Sequence, residues 1–125
     1  MIDLLNKLEQ KINIKFKDRK LLAKCLVHKS HNSLENNEKL EFLGDRVLGL
    51  VFAKALLKIY PDEKEGTIDK KFANLVNKKT CLLVAKKLEL KKFIITGGSY
   101  KGLSRSDDKI ISDGLEALLG AIFLD

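Results

Sequence analysis

Proline is nearly absent from this 125-residue chain: Pro61 is the single one, and tryptophan is missing altogether. That excludes proline-rich linkers, and no low-complexity tract or internal repeat divides the chain. The two cysteines, Cys25 and Cys81, are too few for a disulfide framework. Each lies in an apolar-periodic segment, so both are expected as reduced, buried thiols in a cytoplasmic setting. The longest apolar run, Val47 to Ala53, is too short to cross a bilayer. The first residues include Asp3 and Glu9 and hold no apolar signal core. The expectation is one soluble domain with no membrane partner.

What is present is helical periodicity. Apolar residues make up 45% and charged residues 33% of the chain, enough for one packed core. Leu5, Leu8 and Ile12 mark a first short helix. Asp18 is placed to cap a second that carries Leu21, Leu22, Cys25 and Leu26. Residues 31–37 are polar and read as a loop. A long helix is predicted from Glu38 to Ile59, stopped by Tyr60-Pro61. A charged connector follows to Gly66, with Thr67 as the expected cap of a helix bearing Ile68, Phe72, Leu75 and Val76. Another helix covers Leu82 to Leu88. Phe93-Ile94-Ile95 is β-branched and could be extended. The last helix starts at Ser106 or Asp107. No useful strand alternation exists, so the fold class is an all-α bundle. Gly44, Gly49, Gly114 and Gly120 fall inside predicted helices, where each costs about 1 kcal/mol relative to alanine. Close helix approach, or backbone beside a ligand, would explain them.

The net charge of +7 favours polyanionic partners without selecting among them. The acids are more informative. Glu38, Glu41 and Asp45 are spaced i, i+3 and i+7, on one face of the long helix and beside an apolar stripe. Asp113 and Glu116 are i, i+3 neighbours in the otherwise apolar last helix. Such acids are ordinarily a solvated face, but solvated faces of a lysine-rich chain would mix in lysine. Asp113 and Glu116 have only Lys109 nearby in sequence. If the two helices packed with these faces together, carboxylates would gather, and a cation would be needed between them. Hard oxygen donors suit magnesium or manganese. Two such ions about 4 Å apart can clamp a phosphodiester undergoing displacement.

At these residues the chain resembles the ribonuclease III family. The resemblance rests on the stretch from Asn37 to Asp45 (NEKLEFLGD) with Val47-Leu48. It extends to Leu26-Val27-His28-Lys29-Ser30 before it, then to Glu65-Gly66 and Ala73-Asn74-Leu75-Val76-Asn77. It ends on Ser112 to Asp125 (SDGLEALLGAIFLD). Most of the chain is covered, in order. The resemblance implies an all-α endonuclease domain over residues 1–125 that works as a two-fold homodimer on double-stranded RNA. It implies Glu41, Asp45, Asp113 and Glu116 as catalytic metal ligands, with Mg2+ as cofactor and Mn2+ as possible substitute. Hydrolysis would leave a 5′-phosphate and a 3′-hydroxyl, and the expected role is rRNA or mRNA processing. Glu38 and Glu65 match two supporting acids near the RNA, and Phe42 matches a residue packed across the dimer interface.

Departures from the family pattern are Arg46 at a position usually small, Phe72 where many members have arginine, and His31 in place of an aromatic residue. Arg46 could pair with a carboxylate, touch phosphate or lie exposed. The family domain usually continues with another helix beyond the position of Asp125, and bacterial members commonly add a separate RNA-binding domain. Cys25, His28 and His31 fall at i, i+3 and i+6, but three residues without a fourth ligand make a weak zinc site. His28 reads as a hydrogen-bonded core or interface histidine rather than a general base, and Cys81 as core. Lys101 and Arg105, in the loop from Gly97 to Ser106, could meet phosphate or only solvent. The pairs Lys78-Lys79, Lys86-Lys87 and Lys91-Lys92 read as solvated faces, with an RNA track as the alternative.

Overall fold

The computed structural model describes residues 1–98, 100 and 107–125. Six helices account for most of them: α1 (Ile2–Ile12), α2 (Arg19–Cys25), α3 (Glu38–Ile59), α4 (Glu65–Leu75), α5 (Lys78–Lys87) and α6 (Asp108–Leu124). A short 3-10 turn, Leu90–Lys92, follows α5. No strand occurs among the described residues, as the absence of alternation predicts. One isolated parallel bridge joins Val27 to Ile95, through Ile95 N to Leu26 O (2.8 Å) and His28 N to Ile95 O (2.9 Å). The β-branched run after the 3-10 turn is therefore bridged only at Ile95.

The organising element is α6. Ile111 through Leu118, Gly120 and Ala121 are all buried. The helix makes its most extensive contact with α3, and packs also on α5 and α2. Leu8, Leu22, Cys25, Leu26, Leu90 and Leu118 fill the centre of the core. A helix this apolar is expected to bury most of its circumference, and here its few polar side chains, Ser112, Asp113 and Glu116, are buried with it.

Two intrahelical glycines are explained by the crossing of α3 and α6. A Cβ on Gly44 would overlap the carbonyl oxygen of Glu116 and stand 3.0 Å from Gly120 N. A Cβ on Gly120 would overlap the carbonyl oxygen of Leu40. The two backbones meet at a distance that only glycine permits. Gly49 is less tight: Phe72 packs beside it, with the ring 3.5 Å from where a Cβ would be. Phe72 thus joins α4 to α3.

Local signals position the other helices. The Asp18 side chain accepts from Lys20 N (3.0 Å) and Leu21 N (3.3 Å), capping α2 as expected. The Asp125 carboxylate accepts from Lys17 N (3.0 Å) and Asp18 N (2.8 Å), tying the end of α6 to the turn before α2. The cap of α4 differs from the expected one. The helix starts at Glu65 with Lys64 as N-cap, so Glu65 and Gly66 are helical and Thr67 donates its N–H to Lys64 O (3.0 Å). An acid in the first turn complements the helix dipole, and that suffices without a side-chain cap. The helix α5 also begins earlier than its apolar run, because Asn77 Oδ1 accepts from Thr80 N (2.9 Å). Lys78 and Lys79 therefore lie in its first turn. Both cysteines are free and buried, and burial pushes the Cys25 thiol up to about 12.

Glu9 is buried, yet charged. Its carboxylate accepts from Phe16 N (2.7 Å) and pairs with Arg19. The Phe16 N–H, aided by Arg19 and opposed by burial, holds its pKa below the ordinary 4.5. A depressed carboxylate pKa contributes stability that is present above the unfolded value and lost as pH falls through the folded one. Melting curves of Glu9→Gln should therefore fall furthest below those of the unaltered protein near neutral pH. The gap should close progressively as pH drops below about 4.5.

Candidate active site

The α3–α6 crossing brings acids from distant parts of the chain together. Glu41 lies one turn into α3, and Asp113 and Glu116 face it from α6. One carboxylate oxygen from each lies within 4.8 Å of the others. Asp113 and Glu116 are buried, at 8% and 3% exposure, and Glu41 is half-buried. Carboxylates this close and this dry repel one another strongly unless positive charge lies between them.

Two lysines supply that charge. Lys78 Nζ donates to Asp113 Oδ1 (2.7 Å) and Glu116 Oε1 (3.1 Å). Lys109 Nζ donates to Asp113 Oδ2 (2.6 Å). Burial works against the charged form of all three acids, and the outcome differs at each. Asp113, despite desolvation, is held below its ordinary value by hydrogen bonds from Lys109 and Lys78. Glu116 is pushed up, burial outweighing its Lys78 bond. Glu41 is pushed up by desolvation and by the neighbouring Asp113 charge. For Lys78, desolvation is more than offset by its bonds to Asp113 and Glu116, and its pKa rises.

This corrects one sequence expectation. Lys78 is not part of a merely solvated lysine face, because its ammonium enters the acidic cluster. The expectation that a cation must lie between these acids holds, and the cations seen there are the two ammonium groups. The signal was hidden because it depends on how α5 packs on α6, and no spacing within one helix encodes that.

The remaining expected site residues are placed unevenly. Asp45 is one turn beyond Glu41 but outside the tight group. Its side chain is 53% exposed, and it pairs with Arg46 Nη1 at 3.5 Å. It nonetheless shares with Glu116, Asn77, Lys78 and Cys81 the lining of a small cavity of about 140 Å³. Glu38 lines a neighbouring cleft of about 380 Å³ together with His28, Glu41, Lys109 and Asp113. Glu65 opens α4, is exposed, and lines neither cavity. Phe42 is 62% exposed, with the Arg46 guanidinium 3.8 Å above its ring. Arg46 also donates to Phe42 O (3.1 Å).

His28 borders the cleft, with Nδ1 2.7 Å from Ser30 Oγ and its ring edge-on to Tyr100 at 5.5 Å. It is hydrogen-bonded as expected, but it is half-buried at the edge of the cleft and not part of the core. Cys25, whose thiol donates to Leu22 O (3.0 Å), points into the core and forms no metal-type cluster with His28 and His31 among the described residues. The phosphate-contact expectation for Lys101 and Arg105 lies outside the described residues.

Comparison with known proteins agrees with this architecture. A family model described as Ribonuclease-III-like matches residues 18–125. A protein named Ribonuclease 3 from Pelagibacter ubique is 60% identical over 119 residues, covering 95% of this chain and 54% of that protein. Another, from Nitratiruptor, is 41% identical over 97% of this chain and 54% of its own length. The chain thus spans about half the length of these curated relatives. Among solved structures, the ribonuclease III nuclease domain of Campylobacter jejuni superposes with a TM-score of 0.83 at 40% identity, covering 94% of this chain and 83% of that one. Dicer from Pichia stipitis gives a TM-score of 0.66 at 27% identity, covering 89% of this chain and 47% of that one. With its all-helical fold and its acids gathered where α3 crosses α6, this chain belongs to the ribonuclease-III-like family.

Proposed function

We propose that residues 1–125 act as one nuclease domain that hydrolyses phosphodiesters in double-stranded RNA, using divalent metal and leaving 5′-phosphate and 3′-hydroxyl ends. The observation that carries this is the convergence of Glu41, Asp113 and Glu116 in a chain of this family. The donor set consists of hard carboxylate oxygens, which fits Mg2+, with Mn2+ as substitute. The two ammonium groups already seated there show a site that accommodates positive charge.

Glu41, Asp45, Asp113 and Glu116 would hold the ions. Bound divalent ions supply the positive charge that offsets the charge developing on the reacting phosphate oxygens. The protein's own contribution is positioning. Asp113 and Glu116 are fixed in the buried face of α6, and Glu41 is fixed against them by the glycine crossing. Asp45, which lines the same small cavity as Glu116, would turn from Arg46 to join them. Glu38, in the adjacent cleft, serves as a supporting acid near the RNA, and we assign Glu65 the same class of role. A duplex is recognised through its shape, backbone and 2′-hydroxyls, which a chain of net charge +7 favours. The setting is cytoplasmic processing of rRNA or mRNA. No described helix is long and apolar enough to cross a membrane.

The working unit is a homodimer. Phe42, Arg46, Leu50 and Leu57 follow one another along one face of α3, and the three apolar ones are 62%, 71% and 62% exposed. Such a stripe is costly to leave in water and suits an isologous contact with a second copy. The Campylobacter jejuni nuclease domain is described as having a region involved in dimer formation. Phe42→Glu should shift the sedimentation coefficient from dimer to monomer at equal concentration. A dimer unaffected by that charge would place the contact elsewhere. The activity itself is tested by incubating the chain with an end-labelled RNA duplex, with and without divalent metal.

A further inference from the structure

The lysine inside the acidic cluster is a feature that metal-dependent hydrolysis does not by itself require. Lys78 is the first residue of α5, and its backbone is fixed by the Asn77 cap, whose side chain also donates to Ala73 O (3.1 Å) and Asn74 O (3.0 Å). From that anchor the side chain bridges Asp113 and Glu116. The acids are 11% and 4% exposed at their side chains, whereas Lys78 is 59% exposed. The ammonium therefore reaches in from solvent on a flexible stem and has solvent to return to.

Its position conflicts with a divalent ion held on the same two oxygens, Asp113 Oδ1 and Glu116 Oε1. Carboxylate oxygens coordinate magnesium at about 2.0–2.1 Å. An ion bridging Asp113 Oδ1 and Glu116 Oε1 would stand within van der Waals contact of Lys78 Nζ, cation against cation. Only one of them can hold the bridge. Lys109 takes the other oxygen of Asp113 and makes no bond to Glu116 among the described residues.

We propose that Lys78 is a displaceable counter-cation. It holds Asp113 and Glu116 together when no metal is bound, and it must leave for a divalent ion to enter, which sets the metal affinity of the site. Lys78 is thus a positioning residue. The inference rests on the reading of Glu41, Asp113 and Glu116 as a metal site, and it deepens that reading. Its consequence is a site that keeps its geometry while empty and exchanges its metal readily.

The test is calorimetric titration of the RNA-free protein with Mg2+ or Mn2+, with Glu116→Gln as the reference that lacks the site. Lys78→Met keeps the length of the stem and removes the charge. It should bind metal roughly three- to tenfold more tightly, the loss of an ion pair that metal binding otherwise has to break. Lys79→Met makes the same change in net charge one residue away and should bind as the unaltered protein does. Lys78→Arg keeps the charge and adds forked hydrogen bonding, and should bind more weakly. The metal-free melting temperature of Lys78→Met should fall, and its rise on adding metal should be the larger. Equal affinity in Lys78→Met and the unaltered chain, or equal gains in Lys78→Met and Lys79→Met, would overturn the proposal while leaving the metal site intact. If the unaltered chain and Lys78→Met both titrate like Glu116→Gln, the metal-site reading fails and takes this inference with it.

Discussion

Glu116→Gln is expected to lower duplex-RNA cleavage by at least about a thousandfold, the scale of losing a metal-organising ligand, while the protein melts no lower than before. The two halves of that result belong together. Glu116 is buried at 3% exposure, and burial pushes its pKa up. A carboxylate whose folded pKa is raised opposes folding wherever it is ionised, so at neutral pH the charge of Glu116 is a net cost. Glutamine keeps the shape and removes that cost. It gives up one bond from Lys78, which retains its partner Asp113. A residue kept for structure would behave the other way, with stability falling and activity following it. Cleavage measured beside a thermal melt separates the two, and unchanged cleavage would remove Glu116 from the site.

The second large effect is Gly44→Ala. The added methyl would overlap the carbonyl oxygen of Glu116, which is backbone and cannot swing aside. The helices α3 and α6 would have to separate, opening the most extensive helix–helix contact among the described residues. A loss of about 3 kcal/mol or more is expected, roughly a 10 °C fall in melting temperature for a domain of this size. Cleavage should fall further than the folded fraction does, because the same separation moves Glu41 away from Asp113 and Glu116. Gly66→Ala is the control. Nothing lies within 4 Å of a Cβ there, and alanine in the first turn of α4 should be neutral or stabilising by up to about 1 kcal/mol. Similar losses at both positions would mean that glycine matters through local helix propensity rather than through the crossing.

The long helix was readable to its ends, Glu38 and Ile59, because its signals are local: an apolar stripe, and a Tyr-Pro stop. The Asp18 cap was equally local. The glycines of α3 and α6 were recognisable as exceptions to helix propensity, although which pairs met was not. What could not be read came from tertiary placement. The helix α4 starts at Glu65 because its first turn needs no side-chain cap. Lys78 enters the acidic cluster because α5 lies across α6. Asp45 shares the face of Glu41, yet it turns out toward Arg46, since a half-exposed acid beside a guanidinium has a partner at hand. Glu65 was matched by family pattern alone, and within one chain it lies apart from the cluster.

The central claim is that the acids gathered by the α3–α6 crossing hydrolyse double-stranded RNA with divalent metal. The most direct measurement is cleavage of an RNA duplex, end-labelled on each strand in turn, at low salt with Mg2+ and beside a chelated control. The account predicts metal-dependent cuts on both strands, each leaving a 5′-phosphate and a 3′-hydroxyl, and none after chelation. Cleavage that persists in the chelated control, or a folded protein that leaves the duplex intact in Mg2+ and Mn2+ alike, would contradict it.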